Sequence, residues 1–170
     1  MSESVLQFSD EDVDLTDWQI PPDYDLLEVC HRVTYGPGWV LLKGMFSKRD
    51  VEMARERIVL SKLKEIQSFI QQDAKHNNYN GLTWGLLHRG RIFTKLAIHP
   101  VILSVSRALL GPSCRLSSLA ANTVVPGMEG QDPHLDYPYY RTFYPSSNPN
   151  IMDTAPPLSV QFVTLITDFR

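Results

Sequence analysis

Cysteine is scarce: Cys30 and Cys114 are the only two in 170 residues. Two thiols cannot frame a domain with disulfides, and free thiols in a reducing compartment are the expectation. Neither sits beside a Gly-rich elbow or an acid/base pattern, so neither reads as a nucleophile. Positive charge is not in surplus either. Lys and Arg number 16 against 19 Asp and Glu, for a formal net charge of -3. A nucleic-acid binder advertises itself through a basic field, and none is present. No apolar run approaches the roughly 20 residues of a bilayer span, so no membrane segment is expected. The first residues are acidic (Glu3, Asp10, Glu11, Asp12, Asp14) where a secretory signal carries a basic stretch and then an apolar one. A cytoplasmic protein is expected. No stretch of the chain repeats another.

What is present is the composition of a folded domain, 43% hydrophobic and 21% charged. Residues 1–22 read as a poorly ordered acidic lead, loosely docked through Trp18 and Ile20. Residues 23–170 read as one domain. Leu26, Leu27, Cys30 and Val33 recur at near-helical spacing and predict a short helix over 23–33, stopped by Gly36-Pro37-Gly38. His31 lies in it as a solvent-facing or packing residue. Trp39-Val40-Leu41-Leu42 predicts a short strand. Ser47-Lys48-Arg49-Asp50 has the form of a capping box. It opens a long helix whose stripe is Val51, Ala54, Ile58, Leu63, Ile66 and Ile70, with Arg55, Glu56, Lys62, Lys64 and Glu65 as its solvated face.

Residues 73–80 form a polar loop with His76, and 82–87 are ambiguous between strand and loop. His88, Arg89 and Arg91 make a basic cluster, either a solvated turn or a contact for an anionic substrate. Pro100 suits the first turn of a helix over 100–110, with Ile102, Val105 and Leu109 buried and Gly111-Pro112 as its stop. Then the period changes. Residues 116–125 predict a strand with Ser118, Ala120, Asn122 and Val124 on one face and Leu119, Ala121, Thr123 and Val125 on the other. A Pro/Asn/Ser loop covers 145–157, and residues 158–166 are the most strand-like run of the chain.

The chemistry-bearing stretch is Gln131-Asp132-Pro133-His134-Leu135-Asp136-Tyr137-Pro138-Tyr139-Tyr140. On an extended segment, side chains at i and i+2 share a face, so the His134 imidazole and the Asp136 carboxylate can converge on one cation. His plus carboxylate, with a second His, is the facial triad of non-haem Fe(II) oxygenases, which leaves positions open for substrate and oxygen. Taken alone, His-x-Asp also describes a loop histidine beside a solvated aspartate. The five histidines are His31, His76, His88, His99 and His134.

The order of these features resembles the phytanoyl-CoA dioxygenase family of Fe(II)- and 2-oxoglutarate-dependent oxygenases. Residues 38–47 resemble that family's opening strand and the turn into its first long helix. Leu96-Ala97-Ile98-His99-Pro100 and Leu109-Leu110-Gly111 resemble the later helix that precedes the barrel. Residues 122–136 resemble the first barrel strands with the metal motif, and 158–169 a strand ending in Thr-Asp-Phe. The resemblance implies an α+β fold in which N-terminal helices pack on a double-stranded β-helix, a jelly-roll barrel. It implies hydroxylation of a small organic or acyl substrate, with His134 and Asp136 as metal ligands. Asn122 would touch the 2-oxoglutarate, Gln131 would orient the ligands, and Tyr137 and Tyr139 would line the pocket or pack.

The chain also departs from that pattern. No histidine follows His134, and the arginine that would grip the far carboxylate of 2-oxoglutarate is not in the sequence, Arg170 coming too early to replace it. A chain truncated before the distal half of the barrel, incomplete as an oxygenase, is the expectation. His88 and His99 lie in the flanking region and are poor substitutes for the third ligand. The competing expectation is a non-catalytic binding protein that self-associates by pairing its final strand with another chain.

Overall fold

The computed structural model of the chain describes residues 8–71, 81–124, 132 and 157–168. Among these it has four helices, α1 (Leu26–Tyr35), α2 (Lys48–Gln71), α3 (Arg91–Ala97) and α4 (Pro100–Leu110), and two short strands, β1 (Leu82–Thr83) and β2 (Ala121–Asn122). The class is mixed α+β. The strands pair antiparallel, Leu82 opposite Asn122 and Thr83 opposite Ala121, and the Thr123 amide adds a bond to the Gly81 carbonyl at 2.8 Å. Among the described residues no single helix is long and apolar enough to cross a membrane.

Three of the four helices begin at a side-chain cap. The Asp25 carboxylate accepts the Glu28 amide at 3.0 Å and opens α1. The Ser47 hydroxyl accepts the Asp50 amide at 3.0 Å, satisfying one orphan N–H at the start of α2, and donates to the Asp50 carboxylate at 2.8 Å. The imidazole of His99 accepts the Val101 amide at 3.2 Å ahead of α4, with Pro100 in the first turn. Gly36 follows the last turn of α1 at a position where a Cβ would lie 2.8 Å from the Arg32 carbonyl oxygen, so only glycine fits there without a shift.

The interior has two apolar clusters. The larger joins Val13, Met53, Ala54, Leu86, Ile92, Phe93 and Leu96, with Phe46, Ile58, Leu119, Ala121 and Ile166 packed against it. The smaller joins Val29 of α1 to Val101 and Val105 of α4, flanked by Val40, Leu42, Met45 and Phe162. Two extended stretches therefore touch both clusters, 40–46 and 162–166, and they tie the α1–α4 pair to the α2–α3 pair.

Several expectations are corrected. Residues 39–42, 116–120 and 158–166 are not in a hydrogen-bonded ladder with other described residues; of the strands expected there only Ala121–Asn122 is one. The ambiguous run 82–87 is a two-residue strand followed by a single 3-10 turn over Leu86–His88. The α1 face is carried by Val29, while Leu27 is exposed. In α4 the buried pair is Val101 and Val105, and Ile102 and Leu109 are half-buried. The lead docks through Val13 and the Trp18 ring, and Ile20 is largely exposed. Lys62 is no part of a solvated face. It is 1% exposed, and its ammonium donates to the Leu82 carbonyl of β1 at 2.7 Å.

Candidate functional site

The four site residues expected from the sequence divide sharply. Gln131, His134 and Asp136 lie outside the described residues, as do His76, Tyr137 and Tyr139. Asn122 is described. It occupies the last position of β2, where the period of two turns Leu119 and Ala121 into the larger cluster and leaves Asn122 and Val124 exposed on the other face. Val124 is 74% exposed. The chain thus leaves β2 toward 131–136 with its polar amide directed away from the helices.

Beyond the β1–β2 ladder, two segments of the chain border a cleft of about 300 Å³, lined by residues 84–88 on one side and 116–119 on the other. Gly85 makes the first side possible. Its left-handed backbone (φ 67°, ψ 36°) turns the chain into the 3-10 turn. The Arg89 guanidinium closes that turn by donating to the Trp84 carbonyl at 3.0 Å. Trp84, Leu87 and Leu116 line the cleft while exposed to solvent, and His88 stands at its edge. The basic cluster of the sequence is thereby divided into three surroundings. His88 lines the cleft, Arg89 is held to its own turn, and the Arg91 amide starts α3 by donating to the Asp10 carboxylate at 3.0 Å.

The charged and titratable groups with the most built surroundings lie elsewhere, beneath α3. The Lys95 ammonium meets both carboxylate oxygens of Asp50 at 2.9 and 3.0 Å, with both side chains buried. It also lies 6.0 Å from the centre of the Trp18 ring. The neighbouring His99 is 1% exposed. Trp18 and Phe46 meet its ring edge-on at 5.4 and 5.0 Å. One ring nitrogen takes the Val101 amide, and the other lies 3.1 Å from the Gln19 carbonyl. Burial holds its pKa below the ordinary 6.5; the backbone at Gln19 and Met45 pushes the other way, Lys95 adds to the lowering, and Asp50 opposes it. Sequence reasoning missed this unit. Its one signal was Lys95 set among Phe93, Leu96 and Ala97, with its acidic partner 45 positions away in the cap of α2.

The remaining candidates are ordinary. His31 is exposed on α1 with its ring 5.6 Å from that of Tyr35. Burial pushes the Cys30 thiol upward, away from thiolate reactivity. Among the described residues no three His, Cys, Asp or Glu side chains are grouped to hold a metal. Comparison with protein-family models, with curated proteins and with solved structures finds no match for the chain.

Proposed function

We propose that this chain is the helical support and first metal-binding segment of a phytanoyl-CoA dioxygenase-like, Fe(II)- and 2-oxoglutarate-dependent oxygenase acting on a small organic or acyl substrate. The observation that carries this reading is the two-sidedness of the extended stretches. In residues 121–124 and 160–166, alternate side chains are half-buried, Ala121, Phe162 and Ile166 packing on the clusters, while the others are exposed, and several of the exposed ones are apolar: Val124, Val163 and Leu165. A layer of helices on one face and a bare apolar face on the other is what half of a jelly-roll presents. Asn122 lies on the bare face, 12 positions before His134 and 14 before Asp136.

The donor chemistry fits such an iron in part. His134 and Asp136 are the right pair for two positions of a facial triad. His99 is not the third donor, because both of its nitrogens are engaged and its ring is enclosed by aromatic side chains. No step is therefore routed through the metal, and the 170 residues by themselves are proposed to be inactive. Anaerobic addition of Fe(II) and 2-oxoglutarate is expected to give no visible charge-transfer band. Redox-inert Mn(II) is expected to broaden the Asn122 amide signal, and His134→Ala to abolish that broadening. Mn(II) broadening that ignores both His134→Ala and Asp136→Ala removes the metal reading.

A second reading, a binding protein, rests on the same bare face. Val163 is 75% exposed, and residues 158–166 have no ladder partner among the described residues. An extended edge of this kind pairs with a second copy of the chain. Sedimentation velocity across a concentration series tests it, and a monomer throughout counts against it.

A further inference from the structure

The Lys95–His99 region has a property that neither functional reading uses. The surroundings of His99 fix its tautomer by geometry. The Val101 amide is a donor, so Nδ1, which receives it at 3.2 Å, carries no proton. Nε2, 3.1 Å from the Gln19 carbonyl, must then carry the hydrogen and donate it. A neutral ring thus joins two parts of the chain that are 80 positions apart in sequence, the lead at Gln19 and the first turn of α4. Trp18 folds over the same ring.

A second proton has one place to go, Nδ1, where it would face the Val101 N–H donor to donor. Protonation therefore removes the cap of α4 and places a cation in an enclosure of uncharged rings. Of the charged groups packed nearby, Lys95, on α3, opposes the added proton, and Asp50, on α2, favours it less strongly, both of its carboxylate oxygens already binding Lys95. The backbone at Gln19 and Met45 favours the added proton but is outweighed by burial.

We infer that His99 is a proton-operated latch: its neutral ring pins the Trp18–Gln19 stretch of the lead to the start of α4, and acid lets that stretch go. The sign follows from the two states. The released ring titrates near the ordinary 6.5, whereas the docked ring resists the proton. Docking is fully favoured above that value and weakens as pH falls below it, by up to tenfold per pH unit for one proton. Asp12 of the lead does not share this window, being held below the ordinary carboxylate range by the backbone and hydroxyl of Ser9 and, less strongly, by Arg49. Its ion pair with Arg49 stays formed while the latch opens.

The test uses the whole chain with Trp39→Phe and Trp84→Phe, which leaves Trp18 as the sole indole. Between pH 7.5 and 5 its emission is expected to shift to the red, and amide exchange at Val101, corrected for the intrinsic pH effect, to rise by approaching tenfold per unit. Amides of α2 and α3 are expected to keep their protection. His99→Asn retains a side-chain acceptor for the Val101 amide but nothing that titrates, and is expected to erase the step. An unchanged step in His99→Asn, or a flat Trp18 signal in the parent, overturns the latch. Should that variant fail to fold, nitrogen shifts of the wild-type ring decide. Protonation at Nε2 alone at pH 7.5 is required, and the other tautomer or a cation at that pH overturns the proposal.

Discussion

The α2–α3 unit buries charge, and residues 157–168 expose hydrocarbon. Inside the first, Asp50, Lys62 and Lys95 sit among Met53, Ala54, Ile92 and Phe93, each with a partner that compensates its loss of water. Along the second, Val163 and Leu165 face outward while Phe162 and Ile166 pack inward. The contrast separates two kinds of completeness. The helical unit satisfies its polar groups internally, so its stability is set by packing and by partners already in place. The extended stretch has only half its surface satisfied, and its outward face has nothing to lose on substitution in the monomer.

Substitutions can break that contrast, beginning where the effect is largest. Phe93→Ala empties the centre of the larger cluster and is expected to cost about 3–5 kcal/mol in denaturant unfolding. Phe162→Ala, on the half-buried partner stretch, is expected to cost clearly less; equal losses would mean that the two regions are not different in kind. Asp50→Ala leaves the Lys95 ammonium buried without its carboxylate and takes the acceptor from the Ser47 hydroxyl, for about 3–5 kcal/mol. Replacing both at once, Asp50→Leu with Lys95→Met, is expected to recover much of that loss. Lys62→Met keeps the buried stem but takes the donor from the Leu82 carbonyl, for about 1–3 kcal/mol.

The smaller effects sharpen the comparison from the other side. Thr83 is 1% exposed, and among the described residues its hydroxyl has no hydrogen-bond partner. Thr83→Val removes that unsatisfied group at nearly constant shape and is expected to be neutral or stabilising by up to about 1 kcal/mol. A clear loss would reveal a partner for the hydroxyl. Val163→Lys is expected to move monomer stability by less than about 0.5 kcal/mol. If the bare face pairs with a second copy, the same change lowers association without touching the fold.

Some of this was legible residue by residue. Ser47-x-x-Asp50 announced the start of α2, and Pro100 with Gly111 bounded α4, because caps and stops act through neighbours within one turn. The alternation is seen over 121–124, where Asn122 is exposed while Ala121 packs, but Ala120 is half-buried like its neighbours. Lys62 was misread because its partner carbonyl is 20 positions away, and no local pattern tells a lysine on a helix that a strand will cover it. Leu27 and Ile102 failed for a related reason. Helical spacing says that a stripe exists, while the packing of α1 on α4 chooses which edge of it is buried. The metal motif 134–136 remains a statement about sequence, since it lies outside the described residues.

The sequence alone determined where helices begin and end, which positions alternate, and that one imidazole and one carboxylate stand two residues apart. Those are properties of near neighbours, set by backbone hydrogen bonding and side-chain direction. Only the tertiary structure decided that Lys95 meets Asp50, that Lys62 reaches Leu82, and that His99 joins the lead to α4. Pairs far apart in sequence meet only after the chain has closed the loops between them, and their energies come from the water that closure excludes.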